Sequence, residues 1–336
     1  MERKIIYILM SLLLIIGSIG GATYFNSEFS NEPKHMIKIG VSVYKGNDTF
    51  VSSITKELEK IIKCAVQQKN TMIKLDVSDA KESQMTQMEQ IQKYIDLNYD
   101  VICVNIVDRT SAAYLIDQAT SAQIPIIFFN RQPVEEDMHR SDGVYYIGSN
   151  AKESAIMQGE LIIEAYKNDP YSIDKNQDGI IQYAMLEGEA GHQDAIIRTE
   201  YVIKTLEKEG IQLKKVGGWG ANFDRNQASA LVEQALMQDE NMIELIIANN
   251  DDMALGAADA SQKLQENIVI VGIDGTPQGK EAVDQGILLG TVVSEQKLYA
   301  REIFTLCMAL MQGKKYVQEL LLTKDQYIWI PWEKYT

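Results

Sequence analysis

From Met36 onward, short apolar runs alternate with longer segments whose apolar residues recur every three to four positions. This alternation, sustained almost to the C-terminus, is the strongest constraint on what the chain can fold into. MIKIGVSV (36–43) is a β-branched run with strand character, and Phe50, Ile54, Leu58, Ile61, Ile62 and Val66 then mark one face of a helix. MIKLDVS (72–78), VICVNIV (101–107) and IPIIFFN (124–130) repeat the strand pattern. Helical stripes through Met85, Met88, Ile91 and Ile95, and over 112–123, separate them. YYIGSN (145–150) precedes a helix near 153–166 and a polar loop. A second series follows, with strands at 180–188, 211–217, 242–249, 267–274 and 287–293. Helices at 194–209, 225–238, 251–264, 278–285 and 296–312 follow them in turn. Strands that are apolar on both faces and separated by helices specify parallel sheets covered on both sides. Two series of similar length therefore predict an α/β chain with two Rossmann-like lobes. No glycine-rich phosphate loop opens either series, so a nucleotide enzyme lacks support. In open parallel sheets, ligands bind beyond the carboxyl ends of the strands, which makes the cleft between the lobes the expected site.

The first 35 residues stand outside this pattern. Met-Glu-Arg-Lys precedes IIYILMSLLLIIGSIGGATYFNS, and nothing between Lys4 and Glu28 is charged. A basic start and an apolar run predict an export signal peptide or a retained membrane anchor over 1–25, with a polar linker over 26–35. Either reading places the rest outside the cytoplasmic membrane. No cysteine precedes Cys64, so no lipid attachment site is expected. The three cysteines, Cys64, Cys103 and Cys307, sit in apolar surroundings and read as small hydrophobes, not as a disulfide framework or zinc site. The formal charge of −15, from 32 basic and 47 acidic residues, excludes nucleic acid as a partner.

The residues just beyond the strands carry the chemistry. Tyr44, Asp48 and Phe50 follow the first strand, Asn130 and Arg131 follow IPIIFF, and His192, Asp194 and Arg198 follow AMLEGE. Asn249 and Asn250 follow IELIIA, and Asp274 follows IVIVGI. Amides, carboxylates and a guanidinium present fixed donors and acceptors suited to a polyhydroxylated ligand, and aromatic rings suit the C–H faces of a sugar. Asp48 and Asn250 are equally good helix caps, and the case rests on co-location. The set holds several amides and no evident nucleophile–base pair, so it binds rather than catalyses. No enzymatic activity is expected.

Asp174-Lys175-Asn176-Gln177-Asp178-Gly179-Ile180-Ile181-Gln182 matches the first nine positions of an EF-hand loop. Asp174, Asn176 and Asp178 fall at ligand positions 1, 3 and 5, the Ile180 carbonyl at 7 and Gln182 at 9. Position 12, where a bidentate Glu belongs, is Met185, so the missing carboxylate must come from elsewhere in the chain.

IGVSVYKGNDTF, VNIVDR, PIIFFNRQP, YYIGSNAKES, DKNQDGIIQ, EGEAGHQDAIIRTEYVIK, IIANNDDMALGA and VGIDGTP occur in one order along the chain. Together they resemble the bacterial galactose/glucose-binding proteins, type I periplasmic binding proteins of sugar ABC transporters. The resemblance implies that Asp48, Asn130, His192, Asp194, Arg198, Asn250 and Asp274 hydrogen-bond sugar hydroxyls and that Phe50 stacks on the ring. It implies a structural Ca2+ on Asp174, Asn176, Asp178, Ile180, Gln182 and Glu244, with Glu244 supplying the missing carboxylate. Three positions depart from the family pattern. Phe223 stands where the family has its second stacking residue, a tryptophan, with Trp219 nearby as a substitute. Ser294 stands where the family has an asparagine ligand, and Arg131 replaces a lysine. The resemblance further implies a hinge crossed three times, near 148–150, 294–295 and 328–331. One lobe would then comprise 36–148 plus 295–328, and the other 149–294 plus 329–336. It implies a monomer that delivers D-galactose, D-glucose or a methyl galactoside to an ABC permease. A membrane-tethered sensor for a chemoreceptor or histidine kinase is the alternative.

Overall fold

The computed structural model describes residues 36–69, 72–238, 242–313, 317 and 326–336. The expected export segment and linker, 1–25 and 26–35, lie outside the described residues. Among the described residues no helix is long and apolar enough to cross a membrane.

Among the described residues two six-stranded sheets form. The first runs in the order β11-β5-β4-β3-β1-β2. Its strands are β1 (Ile37–Val43), β2 (Ile73–Asp79), β3 (Val101–Val104), β4 (Ile126–Phe129), β5 (Val144–Gly148) and β11 (Tyr327–Trp329), all parallel. The second runs β12-β10-β9-β8-β6-β7. It comprises β6 (Ile181–Glu187), β7 (Leu213–Gly220), β8 (Leu245–Ala248), β9 (Val269–Asp274), β10 (Gly290–Ser294) and β12 (Trp332–Tyr335), with only β12 antiparallel. The central strands β3, β4 and β8 are buried on both faces, which explains their unbroken apolar sequence.

Each sheet is packed between two apolar layers. In the first lobe Ile39, Val41, Ile127 and Phe129 face the helices Thr49–Lys69 and Gln296–Gln312, while Ile102, Val104 and Phe128 face the opposite layer. In the second, Ile246 and Ala248 face one layer and Leu245, Ile247 and Val271 the other. The helix 296–312 therefore belongs with the first sheet although the strand before it, β10, belongs to the second.

The chain passes between sheets three times, after Gly148, after Ser294 and between Trp329 and Trp332. Trp329 pairs with Gly148 in the first sheet, so that sheet extends one residue beyond the expected limit of 328. Hydrogen bonds tie the crossings together. Ile330 N donates to the Gly148 carbonyl at 2.7 Å, and the Trp332 indole N–H donates to the Asn150 carbonyl at 2.8 Å.

Gly40 lies in the middle of β1 because the ring of Tyr94 covers it. A Cβ there would lie 2.7 Å from the ring carbons, and the Tyr94 hydroxyl is held by Ser78 Oγ at 2.7 Å. Gly40→Ala is expected to lower unfolding stability by about 1–2 kcal/mol, overpacking outweighing the gain in strand propensity. Denaturant unfolding followed by circular dichroism measures this, and an unchanged midpoint contradicts the packing account.

Candidate functional site

Every strand of the two sheets that ends at the cleft delivers at least one polar side chain, and the local structure explains how each is aimed. Asp48 caps the helix Thr49–Lys69, its Oδ1 accepting from Val51 N at 2.8 Å, and its Oδ2 accepts the Tyr44 hydroxyl at 2.6 Å. Asn250 caps the helix Asp251–Leu264 with its Oδ1, on Met253 N at 2.9 Å. The cap uses the amide oxygen and leaves the NH2 as a donor, so the capping and ligand-binding readings are compatible. Asn130 adopts a left-handed φ of 62°, and its Oδ1 accepts from the buried Asn105 amide at 3.1 Å. Asp274 ends β9 with φ 126°, a conformation that turns the carboxylate into the cleft at a cost in backbone strain.

These side chains converge. Tyr44, Asp48, Phe50, Asn130, Arg131, His192, Asp194, Arg198, Phe223, Asn250 and Asp274 line one cleft between the lobes, with about 380 Å³ of unoccupied space, part of it open to solvent. Ten of the eleven ligand residues expected from sequence are in this set. Ser294 is the exception. Its fully buried hydroxyl lies 2.7 Å from Ser149 Oγ, which in turn lies 2.9 Å from the Tyr299 hydroxyl. The contact joins the first and second crossings of the hinge. Phe223, at φ 56°, lines the cleft, whereas Trp219 packs over Gly217 and against the core of the second lobe. Gly188 makes room for this, because a Cβ there would lie 2.0 Å from the Phe223 ring. Phe223 meets His192 edge-on at 5.1 Å, and Phe50 meets Tyr299 edge-on at 5.6 Å.

Several side chains support the cleft residues from behind. Tyr44 is buried beneath Arg131, whose guanidinium lies 3.4 Å from the ring centre. Asn249 is fully buried; its carbonyl accepts from Arg198 Nη1 at 2.8 Å and its Oδ1 from Gly188 N at 3.1 Å. Trp332 lies behind the Arg198 guanidinium at 5.6 Å. Asn105 carried a visible signal, as the one polar residue within the run VICVNIV at the end of a strand. Asn249 stood at a strand end beside Asn250, and Trp332 carried no signal.

The electrostatics follow from burial. Arg198 lies 3.9 Å from Asp194 and 3.7 Å from Asp274, so both carboxylates share one cation. Burial pushes the Asp274 carboxyl well above the usual range against the pull of Arg198, and Asp251 and Asp48 add to the rise. Burial likewise raises Asp194, opposed by Arg198 and Arg131. Burial holds the His192 imidazole well below its ordinary value, and Arg131, Arg198 and Arg109 depress it further. His192 Nδ1 and Arg198 Nε are buried without a hydrogen-bond partner. A neutral imidazole nitrogen and a guanidinium N–H left open beside carboxylates and amides form an array for hydroxyl groups, which both donate and accept. The described side chains bring no nucleophile against a base here.

A second polar cluster forms around the loop 174–182. Glu244 is fully buried; its Oε1 accepts from Lys175 N at 2.7 Å and Asn176 N at 3.0 Å, and its Oε2 from Gln182 N at 3.0 Å. The Asn176 and Gln182 amides donate to Asp178 Oδ2 at 3.1 and 2.9 Å. Asp174 Oδ2 accepts from Gly179 N at 3.0 Å, while its buried Oδ1 has no partner. Among the described residues no group of three or more His, Cys, Asp or Glu side chains is spaced to hold a metal ion. The donor types nevertheless suit a hard cation, with carboxylate, amide and carbonyl oxygens on one tight loop and one carboxylate oxygen unsatisfied.

Two lobes of mainly parallel strands, joined by three crossings and closing on a polar cleft, define a two-lobed solute-binding protein. The periplasmic binding protein domain matches residues 39–315, and the chain belongs to that family. It is 34% identical over 303 residues to the D-galactose/methyl-galactoside binding periplasmic protein MglB of Haemophilus influenzae, covering 88% of each chain. The ribose import binding protein RbsB of Bacillus subtilis is 24% identical over 285 residues, 84% of each. Among solved structures, an ABC transporter solute binding protein of Bacillus halodurans with bound myo-inositol aligns with a TM-score of 0.73 at 28% identity, covering 91% of this chain and 96% of that one. Membership implies export, and sugar binding in the service of an ABC transporter is the activity of this family branch. Solute-binding proteins of this family are not enzymes.

Because the folded state keeps His192 neutral, the unfolded chain binds more protons as pH falls below the ordinary imidazole value of about 6.5. Stability contributed by the neutral ring is thus present above about pH 6.5 and lost as pH falls further. The melting temperature of the native chain should drop between pH 7.5 and 5.5 by roughly 2 °C more than that of His192→Gln. Parallel pH profiles contradict a buried neutral imidazole.

Proposed function

We propose that the chain binds D-galactose or D-glucose, or a methyl galactoside, between its lobes and delivers it to an ABC permease. The observation that carries this reading is the convergence of Asp48, Asn130, His192, Asp194, Arg198, Asn250 and Asp274 with the rings of Phe50 and Phe223 around one cleft. Aromatic faces at two walls suit the apolar C–H faces of a pyranose. The polar rim suits hydroxyls in fixed directions, and a site built this way rejects a sugar that leaves one of its buried groups unpaired. The relative of highest identity among those given above bears a galactose and methyl-galactoside name, which favours a hexose over ribose or inositol. With Ser294 withdrawn into the hinge, the cleft offers one ligand fewer than the family pattern and a smaller stacking face at Phe223. Both changes act on affinity and on the choice among hexoses.

Calorimetric titration with D-galactose and with D-glucose tests the reading. Saturable 1:1 binding to at least one of them is expected, weakened about 100-fold or more in Asp274→Ala, which removes one of the two carboxylates beside Arg198 and leaves a sugar hydroxyl unpaired. Absence of heat from either hexose at millimolar concentration contradicts it.

We further propose that the loop 174–182 holds Ca2+ with Asp174, Asn176, Asp178, the Ile180 carbonyl, Gln182 and Glu244. The bare Oδ1 of buried Asp174 supports this, since an ion would supply the missing partner. The Asn176 amide, which now donates to Asp178 and Gln182, would turn its oxygen inward. A bound ion would pin the loop to β8 through Glu244 and stabilise the second lobe without entering the sugar cleft. Chelation with EDTA should then lower the melting temperature by roughly 5 °C, and Ca2+ should restore it. Superimposable melting curves contradict a bound ion.

A further inference from the structure

The cleft is spanned by a contact that is not made to any ligand. Arg131, which follows β4 in the first lobe, places Nη2 2.7 Å from Oε1 of Glu189, which follows β6 in the second. The guanidinium is 7% exposed and the carboxylate 27% exposed, so the pair is largely withdrawn from water. Arg131 is aimed by its surroundings. Its guanidinium lies flat on the Tyr44 ring at 3.4 Å, and the Tyr44 hydroxyl is fixed by Asp48 at 2.6 Å. The side chain that caps the first helix and lines the cleft therefore also sets the plane in which Arg131 points across the gap.

Glu189 itself does not line the cleft, so its position is not explained by ligand contact. The two residues stand on different lobes, and the covalent path between them runs through the hinge. Separation of the lobes breaks the pair and returns both charges to solvent. Closure also gathers acidic groups from both sides, Asp48 from the first lobe with Asp194 and Asp274 from the second. A cation shared with Glu189 offsets part of that repulsion.

We propose that Glu189 is a positioning residue that latches the lobes in the closed arrangement through Arg131, so that affinity for a neutral sugar depends on an ion pair the sugar does not touch. This rests on the hexose-binding reading only in the choice of probe. Because the pair closes the lobes with or without a ligand and must break before a bound ligand can leave, its loss acts on the dissociation rate more than on the association rate. Because it is an incompletely buried ion pair, its contribution shrinks as salt rises.

The test compares native chain, Glu189→Gln and Glu189→Asp in stopped-flow and equilibrium binding of D-galactose and D-glucose at low and at molar salt. Glu189→Gln should dissociate about tenfold faster at low salt and only two- to threefold faster at about 1 M, with the association rate changed by less than about twofold. Glu189→Asp, which keeps the charge on a shorter stem, should recover part of the salt-sensitive component, a response that a loss of packing alone would not give. Equal dissociation rates for the native chain and Glu189→Gln at both salt concentrations overturn the proposal. Small-angle scattering of the sugar-free chain at low salt decides it independently of any sugar. A larger radius of gyration for Glu189→Gln than for the native chain supports the latch, and identical radii overturn it. A native chain that binds neither hexose counts against the sugar reading alone, and the scattering comparison then settles the latch.

Discussion

The cleft depends on two buried guanidinium groups. Acidic side chains from both lobes face one another across it, and without a cation they would neutralise or force the lobes apart. Arg198 occupies the centre of the second-lobe wall, between Asp194 and Asp274, backed by Trp332 and fixed by the Asn249 carbonyl. Arg131 does the equivalent for the first-lobe wall, on Tyr44 and beside Asp48. Each guanidinium is fixed by several groups at once, so its free edge has a defined direction before anything binds. Such preorganisation reduces the ordering cost of recognising a small polar molecule.

Strand-end chemistry and helix capping are the same problem here. A parallel sheet ends at the N-termini of the helices that follow its strands, and those helices need acceptors for their first N–H groups. Asp48 and Asn250 satisfy that need with one oxygen and keep a second group for the cleft. Asp251, the first residue of the helix after Asn250, faces inward instead. It accepts from Thr291 at 2.6 Å and Thr276 N at 2.7 Å, and burial raises its carboxyl to about 6 against those hydrogen bonds. It anchors the loop that carries Asp274 and so supports the cleft wall from behind.

Much of this was legible in the chain. Two-sided apolar runs such as IIFF and LIIA identify buried parallel strands, and polar clusters after them identify the cleft. What escaped detection depends on long-range placement. Ser294 is expected as a ligand because the resembling family has an asparagine there, yet its hydroxyl lies at the hinge, where Ser149 from another crossing meets it. Phe223 and Trp219 are four positions apart; Phe223 lines the cleft, and the ring packs where a Cβ on Gly188 would lie. Cys103 and Cys307 read as separate apolar positions, but the return of the helix 296–312 to the first lobe sets their sulfurs 3.8 Å apart in its core. Tyr327–Trp329 and Trp332–Tyr335 are too short for periodicity to register, and they join opposite sheets because the last crossing falls between them.

The central claim is that a hexose sits between the lobes and is held by both. Hydrogen–deuterium exchange with and without D-galactose, and again with D-glucose, tests it most directly. The account predicts increased protection in both lobes with at least one of the two sugars, around 44–50 and 130–131 in the first and around 188–198, 223, 250 and 274 in the second. Protection confined to one lobe, or appearing away from the cleft while these segments remain unchanged, would contradict it.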